Sequence, residues 1–335
     1  MLGDYKLLNK LGNGSFGNVF KACSKNGSEV AIKVIPKCKF QSYEDYSAVT
    51  REISIMKSLN HPNVVKFFDS FQSNAEIYIV MEYCRGKNLY DFVIEREKIQ
   101  ETEASIIFAQ IVNAVNYLHT NNLIHRDLKL SNIIIEENMH IKLIDFGLCD
   151  YYDKTKLLTT FCGSPSYNPP ESYTREPFDG KKADMWSLGV ILYELVTGQH
   201  PWNIFNTQEM ESQIKSASYP VPLYLSVFVI DLISRLLQIP PVNRLDTLQV
   251  LNHTWITSRI EQIPYMEKAR QCLPPLIRRS ISLDSSNIES VDPDLQPYDV
   301  KHHRRRLKTL TYSESSKLAI LKKSISIPSP LHAML

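Results

Sequence analysis

Short runs rich in β-branched and aromatic residues fill the first eighty positions: Tyr5–Leu11, Asn18–Ala22, Glu29–Ile35, Val64–Ser70 and Ile77–Met81. Their length and period predict strands. One stretch between them, Ser47–Leu59, carries its apolar residues at helical spacing. After Leu89 the pattern turns helical. Glu103–Thr120 sets Ile106, Ile107, Ala109, Val112, Ala114, Val115 and Leu118 on a broad apolar surface, and Asp184–Thr197 and Ser226–Leu237 are apolar enough to be buried helices. A strand-rich half followed by a helix-rich half predicts an α+β fold of two lobes, with a cleft between them as the natural place for a ligand.

Composition marks a second boundary. All 11 glycines lie between Gly3 and Gly198, whereas residues 257–335 have none but hold 7 of the 18 prolines and 12 serines. That stretch carries 13 basic and 8 acidic residues, against 25 and 28 in the remainder. An acidic-leaning body is therefore expected, followed by a basic, Ser/Pro-rich, mostly disordered regulatory tail. Across the chain 38 basic residues face 36 acidic ones, which argues against a nucleic-acid or membrane partner. The six cysteines include no CxxC pair, so neither a zinc ribbon nor a disulfide framework is expected. No apolar run approaches 18 residues, and the first ten residues lack a signal-peptide core. Leu2 and the stretch His332–Leu335 fit no lipidation motif. A cytoplasmic location follows, with the basic block Lys301–Lys308 as a candidate nuclear import signal.

Four motifs carry chemistry. In Leu11-Gly12-Asn13-Gly14-Ser15-Phe16-Gly17-Asn18-Val19 the glycines let backbone amides approach phosphates. A dinucleotide-binding turn would continue into a helix, but Asn18–Ala22 alternates as a strand; taken alone, the motif is equally compatible with a plain glycine turn. Val30-Ala31-Ile32-Lys33 places a lysine on an apolar strand, and Glu52 on the intervening helix can pair with it and aim its ammonium at the α- and β-phosphates. His125-Arg126-Asp127-Leu128-Lys129-Leu130-Ser131-Asn132 and Asp145-Phe146-Gly147 supply what phosphoryl transfer requires: metal ligands, a positioned acceptor and charge neutralisation. Asp127 can take a hydroxyl proton, Lys129 can neutralise the γ-phosphate, and the oxygens of Asn132 and Asp145 suit Mg²⁺.

In this order the motifs resemble those of eukaryotic serine/threonine protein kinases. The resemblance continues through Pro169-Pro170-Glu171, through Asp184–Gly189, and to Arg244, which the family pairs with the Glu171 position. It covers about residues 5–256 and implies a β-rich N-lobe (about 5–83), a hinge (82–86) and a helical C-lobe (87–256). It also implies ATP and Mg²⁺ as cofactors, protein substrates and an upstream activating kinase. Leu11, Val19, Ala31, Ile134 and Ile144 would sandwich the adenine, Met81 would be the gatekeeper, the backbones of Glu82 and Cys84 would meet the adenine edge, and Asn88 the ribose. The alternative is a pseudokinase-type scaffold or nucleotide-binding module. Such proteins usually lose Lys33, Asp127, Asn132 or Asp145, and all four are present.

Lys129 and Gly163-Ser164-Pro165 favour the serine/threonine class, with Ser164 expected to bond Asp127 and Lys129. Residues 178–184 and 198–202 are similar to the calcium/calmodulin-dependent group, in particular its AMP-activated, Snf1-type branch. The resemblance implies phosphorylation of Thr160, with Thr159 beside it, and pairing of that phosphate with Arg126. Asp150, however, is acidic where some relatives place a cation, so a smaller activation is expected. In the tail, Arg278-Arg279-Ser280-Ile281-Ser282 and Lys322-Lys323-Ser324-Ile325-Ser326 are near-copies, which marks Ser282 and Ser326 for phosphorylation and the second for a 14-3-3 partner. Basophilic relatives read arginine three residues before the acceptor with two carboxylates; Asn88 and Ser131 stand there instead, and Glu194 remains to read a basic residue elsewhere on the peptide.

Overall fold

The structure is a computed structural model that describes residues 3–13, 17–155, 157–159, 162–174 and 176–261. Gly14, Ser15, Phe16, Thr160, Ser282 and Ser326, and with the last two the tail from residue 262 onward, lie outside the described residues. The small lobe holds β1 (Tyr5–Asn13), β2 (Asn18–Ser24), β3 (Glu29–Pro36), α1 (Tyr43–Ser58), β4 (Phe67–Gln72) and β5 (Glu76–Glu82). The large lobe follows with β6 (Gly86–Asn88), α2 (Leu89–Arg96), α3 (Glu101–Thr120), β7 (Leu123–Ile124), β8 (Ile133–Glu136), β9 (Ile141–Leu143) and β10 (Asp150–Tyr151). It ends with α4 (Gly180–Thr197), α5 (Thr207–Ser216), α6 (Val227–Leu236), α7 (Thr247–Leu251) and α8 (Thr254–Glu261).

The five strands of the small lobe form one antiparallel sheet in the order β1-β2-β3-β5-β4. β3 sits at its centre, which is why Val30–Ile35 is buried without interruption. Side chains alternate across a strand. Val30, Ile32 and Val34 pack with Ala22, Tyr78 and Val80 on one face, while Ile35 joins the core beneath the other. Lys33 shares its face with Ile35, the face α1 covers. Helix α1 begins at Tyr43, four residues before the expected Ser47, because Ser42 and Asp45 close a capping box that satisfies its first amides.

The expected strand Val64–Ser70 is shorter, starting at Phe67. Val64 and Val65 pair instead with the large lobe: Val64 bridges Leu143 in parallel, Val65 N–H donates to Leu143 O at 3.0 Å, and Leu143 N–H donates to Asn63 O at 2.8 Å. Both valines are buried in the large core, so this segment ties the lobes together. Strands β6, β8 and β9 form a second sheet along the cleft, and β10 pairs with β7.

The large lobe is organised around α4. Of its residues, Asp184 through Thr197 are all buried, in keeping with their largely apolar pattern. Asp179 caps its first amides, and Gly198 closes it in the left-handed conformation. Arg244, whose side chain is fully buried, holds Glu171 through two bonds of 2.5 and 2.6 Å. Its remaining donors go to the carbonyls of Lys182, Gln238 and Ile239, and its guanidinium lies over Trp186. Helix α8 extends through Glu261, five residues past Ile256. Among the described residues no helix is long and apolar enough to cross a membrane.

The Arg244–Glu171 pair is desolvated, so removing one partner leaves a buried charge or unpaired donors. Arg244→Ala is expected to destabilise the protein by about 3–5 kcal/mol. Glu171→Gln should cost less, because the guanidinium keeps its three carbonyl acceptors. Urea unfolding of both variants checks the order; equal losses would contradict it.

Candidate active site

The catalytic loop connects β7 to β8 and is shaped by one buried carboxylate. Asp184 accepts from the backbone N–H of His125 and of Arg126, each at 3.0 Å, and contacts His119 Nε2 at 2.9 Å. Burial alone would raise the Asp184 carboxyl; these partners outweigh it and hold it below the ordinary carboxylate value. The clamp keeps Arg126 at φ 66°, a conformation a β-carbon disfavours. The chain then turns so that the following side chains face the cleft.

Asp127 is held on every side. Lys129 Nζ donates to its Oδ2 at 2.7 Å and Asn132 Nδ2 to the same oxygen at 3.0 Å. Ser164 reaches the other oxygen, Oδ1, through its amide at 3.0 Å and its hydroxyl at 2.9 Å. Lys129 also donates to Ser164 Oγ at 2.9 Å, so the expected triad of Ser164, Asp127 and Lys129 is present. Gly163 makes it possible: it sits at φ +84°, and a Cβ there would lie 2.4 Å from Arg126 O.

The opposite wall comes from the small lobe. Lys33 Nζ bonds Glu52 Oε1 at 2.5 Å and lies 3.5 Å from Asp145 Oδ1. Lys33 and Glu52 are almost wholly buried. Burial works against the Lys33 ammonium, but the charges of Glu52 and Asp145 outweigh it and raise its pKa, so the lysine stays charged. Asp145 adopts φ 62° and takes a bond from Gly147 N–H at 3.3 Å. Burial opposes its ionisation, but Lys33 and this amide keep its carboxyl lowered. Beneath it Phe146 is fully buried, its ring 5.4 Å from that of His125.

Asn132 and Asp145 fit a hard cation. Asn132 spends its Nδ2 on the backbone and side chain of Asp127, which turns its oxygen away from that residue. Asp145 engages its neighbours through Oδ1. One amide and one carboxylate do not make a cage, and among the described residues no cluster of three metal-ligating side chains exists. Such a sparse oxygen set suits Mg²⁺ carried in on phosphates.

The residues expected to face a nucleotide are spread over both lobes. Leu11, Val19 and Ala31 lie on β1, β2 and β3, and Ala31 is paired with Met81 across the sheet. Ile134 lies on β8 beside Asn88 of β6, and Ile144 follows β9. Glu82 and Cys84 stand where the small lobe passes into the large one, and Glu82 Oε2 is held by Lys142 Nζ at 2.9 Å. Asn88 caps α2, accepting from Asp91 N–H at 2.8 Å and donating to the Asp91 carboxylate at 2.7 Å, so one amide hydrogen remains for a ribose. Gly17 has a packing role besides the expected one. A Cβ on it would lie 2.1 Å from Val34 O, so packing against β3 requires this glycine, whereas a Cβ on Gly12 would meet nothing within 4 Å among the described residues. Asn13 and Asn18 pair across the hairpin base.

Three features were not evident from the chain. Arg51, one residue before Glu52, pairs with Asp150; its only sequence signal is a cation adjacent to the key glutamate. Arg126 is a cation near Cys162 and Cys149, yet burial dominates and raises both thiols. Glu194 does not present a charge to a peptide. It is buried, Tyr167 OH donates to it at 2.7 Å, and burial pushes its carboxyl up to about 8.

A buried Lys–Glu pair in a small sheet lobe, opposed by a hydrogen-bonded carboxylate in a helical lobe, is the division found in two-lobed phosphotransferase folds. Residues 5–256 match the protein kinase domain, and the chain belongs to that family. It is 42% identical over 252 residues to NUAK family SNF1-like kinase 2 of Homo sapiens, covering 75% of this chain and 40% of the relative. It is 42% identical over 253 residues to NUAK family SNF1-like kinase 1 of Homo sapiens, covering 75% and 38%. The mouse form of the latter (Mus musculus) is 41% identical over 253 residues, again covering 75% and 38%. The chain thus spans about two fifths of the length of these curated relatives. Their names agree with the Snf1-type branch inferred from residues 178–184 and 198–202. The family as a whole uses ATP and Mg²⁺.

The Glu194 value gives a pH signature. Its folded pKa of about 8 exceeds the ordinary 4.5, so the folded protein keeps a proton that the unfolded chain releases. Its contribution is complete below about 4.5 and declines as pH rises toward 8. Relative to Glu194→Gln, the wild type should lose on the order of 1 kcal/mol of stability per pH unit over that window. Denaturant unfolding of both proteins at pH 5 and pH 8 measures this. A difference independent of pH would show that Glu194 titrates normally.

Proposed function

We propose that the chain is an active serine/threonine protein kinase that moves the γ-phosphoryl group of ATP to Ser and Thr hydroxyls of proteins. The observation that carries this is the Asp127 carboxylate, bonded by Lys129, Asn132 and Ser164. A general base must be oriented before it is tuned. Four donors hold Asp127 while the loop faces the cleft, so an acceptor hydroxyl can deliver its proton there. Lys129, already at Asp127, stands ready to balance charge on the transferred group. Lys33, kept charged and aimed by Glu52, steadies the α- and β-phosphates. Asn132 and Asp145 would hold Mg²⁺, which neutralises phosphate charge when bound. Leu11, Val19, Ala31, Ile134 and Ile144 would enclose the adenine beside Met81, with the backbones of Glu82 and Cys84 at its edge. Gly12–Val19 would cover the phosphates. The complete set of charged residues favours catalysis over a scaffold role.

Control follows the same reading. Phosphate on Thr160 would add negative charge near Arg126, supplied by an upstream kinase. Phosphorylation of Ser282 and Ser326 would make the tail a regulatory segment, the latter serving a 14-3-3 partner. The location proposed is cytoplasmic, with import through residues 301–308.

Asp127→Asn keeps the shape of the side chain but removes the base, and its amide nitrogen cannot accept the two donors that one carboxylate oxygen takes; it is expected to lower kcat by roughly 10²–10⁴-fold with ATP binding retained. A radiometric assay on a Ser-containing peptide, with nucleotide binding measured in parallel, checks it. A wild type that binds ATP without turnover would favour the scaffold reading.

Substrate preference is a separate matter. Ser131 is neutral, and Asn88 is occupied by Asp91, so a charge-assisted bond to arginine, worth about 1.5–3 kcal/mol, is absent at both positions. A positional-scanning peptide library should therefore show no dominant arginine three residues before the acceptor. Strong selection there would mean that another carboxylate, with Asp91 the nearest to Asn88, supplies the pocket.

A further inference from the structure

The side chain of Asp150 joins two parts of the molecule that must be aligned for the site to exist. Its Oδ2 lies 3.1 Å from Arg51 Nη1 on α1 and 3.4 Å from Arg126 Nη1 on the catalytic loop. Arg51 is the neighbour of Glu52, the residue that holds Lys33. Arg126 is the neighbour of Asp127. One carboxylate thus connects the arginine beside each of the two catalytic clusters.

The position of Asp150 is fixed by its backbone. Asp150 and Tyr151 pair as β10 with Ile124 and Leu123 of β7, the strand that leads directly into His125 and Arg126. Arg126 is fixed as well: its Nε donates to Leu148 O at 2.8 Å, and Asp184 clamps its amide. Only Arg51 comes from the other lobe. The side chains of Arg51, Arg126 and Asp150 are 38%, 16% and 27% exposed, so solvent screens the interaction only in part.

Two arginines drawn together from separate lobes repel each other unless an anion lies between them. A phosphate on the activation segment can serve as that anion, with three acceptor oxygens and about two charges. Here the carboxylate already stands there. We infer that Asp150 is a built-in anion that pairs Arg51 with Arg126, positions α1 for catalysis and gives the enzyme substantial activity without activation-segment phosphate. Asp150 and Arg51 are positioning residues, acting through Glu52 and Asp127. A phosphate arriving near Arg126 would meet a like charge, so its added benefit is small. The inference rests on the kinase reading and concerns how that same site is switched.

The test uses the full chain in two states: phosphorylated on the activation segment, and unphosphorylated through the double substitution Thr159→Ala and Thr160→Ala. Turnover of a Ser-containing peptide is measured together with hydrogen exchange of the α1 amides. The unphosphorylated parent should retain at least a third of the phosphorylated kcat. Asp150→Asn in the unphosphorylated background should lose tenfold or more, with faster exchange across α1. Asp150→Glu should restore most of both. In the phosphorylatable background, Asp150→Asn should be returned by phosphorylation to within about threefold of the wild type, because the arginine pair is then vacant. A loss of packing alone would not be repaired by phosphate. Should Asp150→Asn fail to fold, Arg51→Gln breaks the same bridge from α1 and should show the same loss. The proposal is overturned if Asp150→Asn or Arg51→Gln matches the parent, if Asp150→Glu is no better than Asp150→Asn, or if only the phosphorylated wild type is active. That last result leaves the kinase reading intact. Inactivity of the wild type in both states would instead remove the kinase reading, and exchange across α1 would still judge the bridge.

Discussion

The site depends on a carboxylate that never meets the substrate. Asp184, buried on α4, gathers the amides of His125 and Arg126 and the ring of His119. Those bonds hold a backbone that would otherwise relax from its left-handed turn. Asp127 inherits its direction from that turn, and Lys129, Asn132 and Ser164 in turn take their places around Asp127. Burying an acid is costly unless its oxygens are satisfied. Here the partners that satisfy it are the groups that need to be fixed, so one desolvated charge sets the geometry of a whole loop.

The two lobes solve different problems. The large lobe is held by a continuous apolar core around α4, with Arg244 and Glu171 anchoring the segment that brings Ser164 to Asp127. The small lobe has a small separate core on one face of its sheet and joins the large core on the other, and its decisive contact is a single buried ion pair. The lobes are joined by backbone bonds at Asn63–Val65 and by the Lys142 contact to Glu82.

Much of this could be read along the chain. Lys33 was legible because it is the single charge within the apolar run Val30–Ile35, so a lysine there had to find a partner. The identity of α4 as a buried helix followed from its largely apolar composition, with Leu188–Tyr193 at its centre. The errors have physical causes. The start of α1 was placed late because a cap of Ser42 and Asp45 leaves no apolar trace. Val64 and Val65 looked like the beginning of a strand, but a short apolar run does not say which neighbour it will bond. Arg51 and Asp150 are separated by 99 positions, and nothing local in either segment announces the other. Glu194 lies within the run expected to be buried, but nothing beside it in sequence announces the Tyr167 hydroxyl, 27 positions away, that donates to it.

The glycine-rich hairpin has a consequence for how such chains change over evolutionary time. Gly17 is required by the carbonyl of Val34, whether or not a nucleotide is ever present. Gly12 has no such neighbour among the described residues. In a lineage under selection for folding alone, the glycine at position 17 would be preserved. A glycine retained there records the history of a sheet, whatever becomes of the ligand.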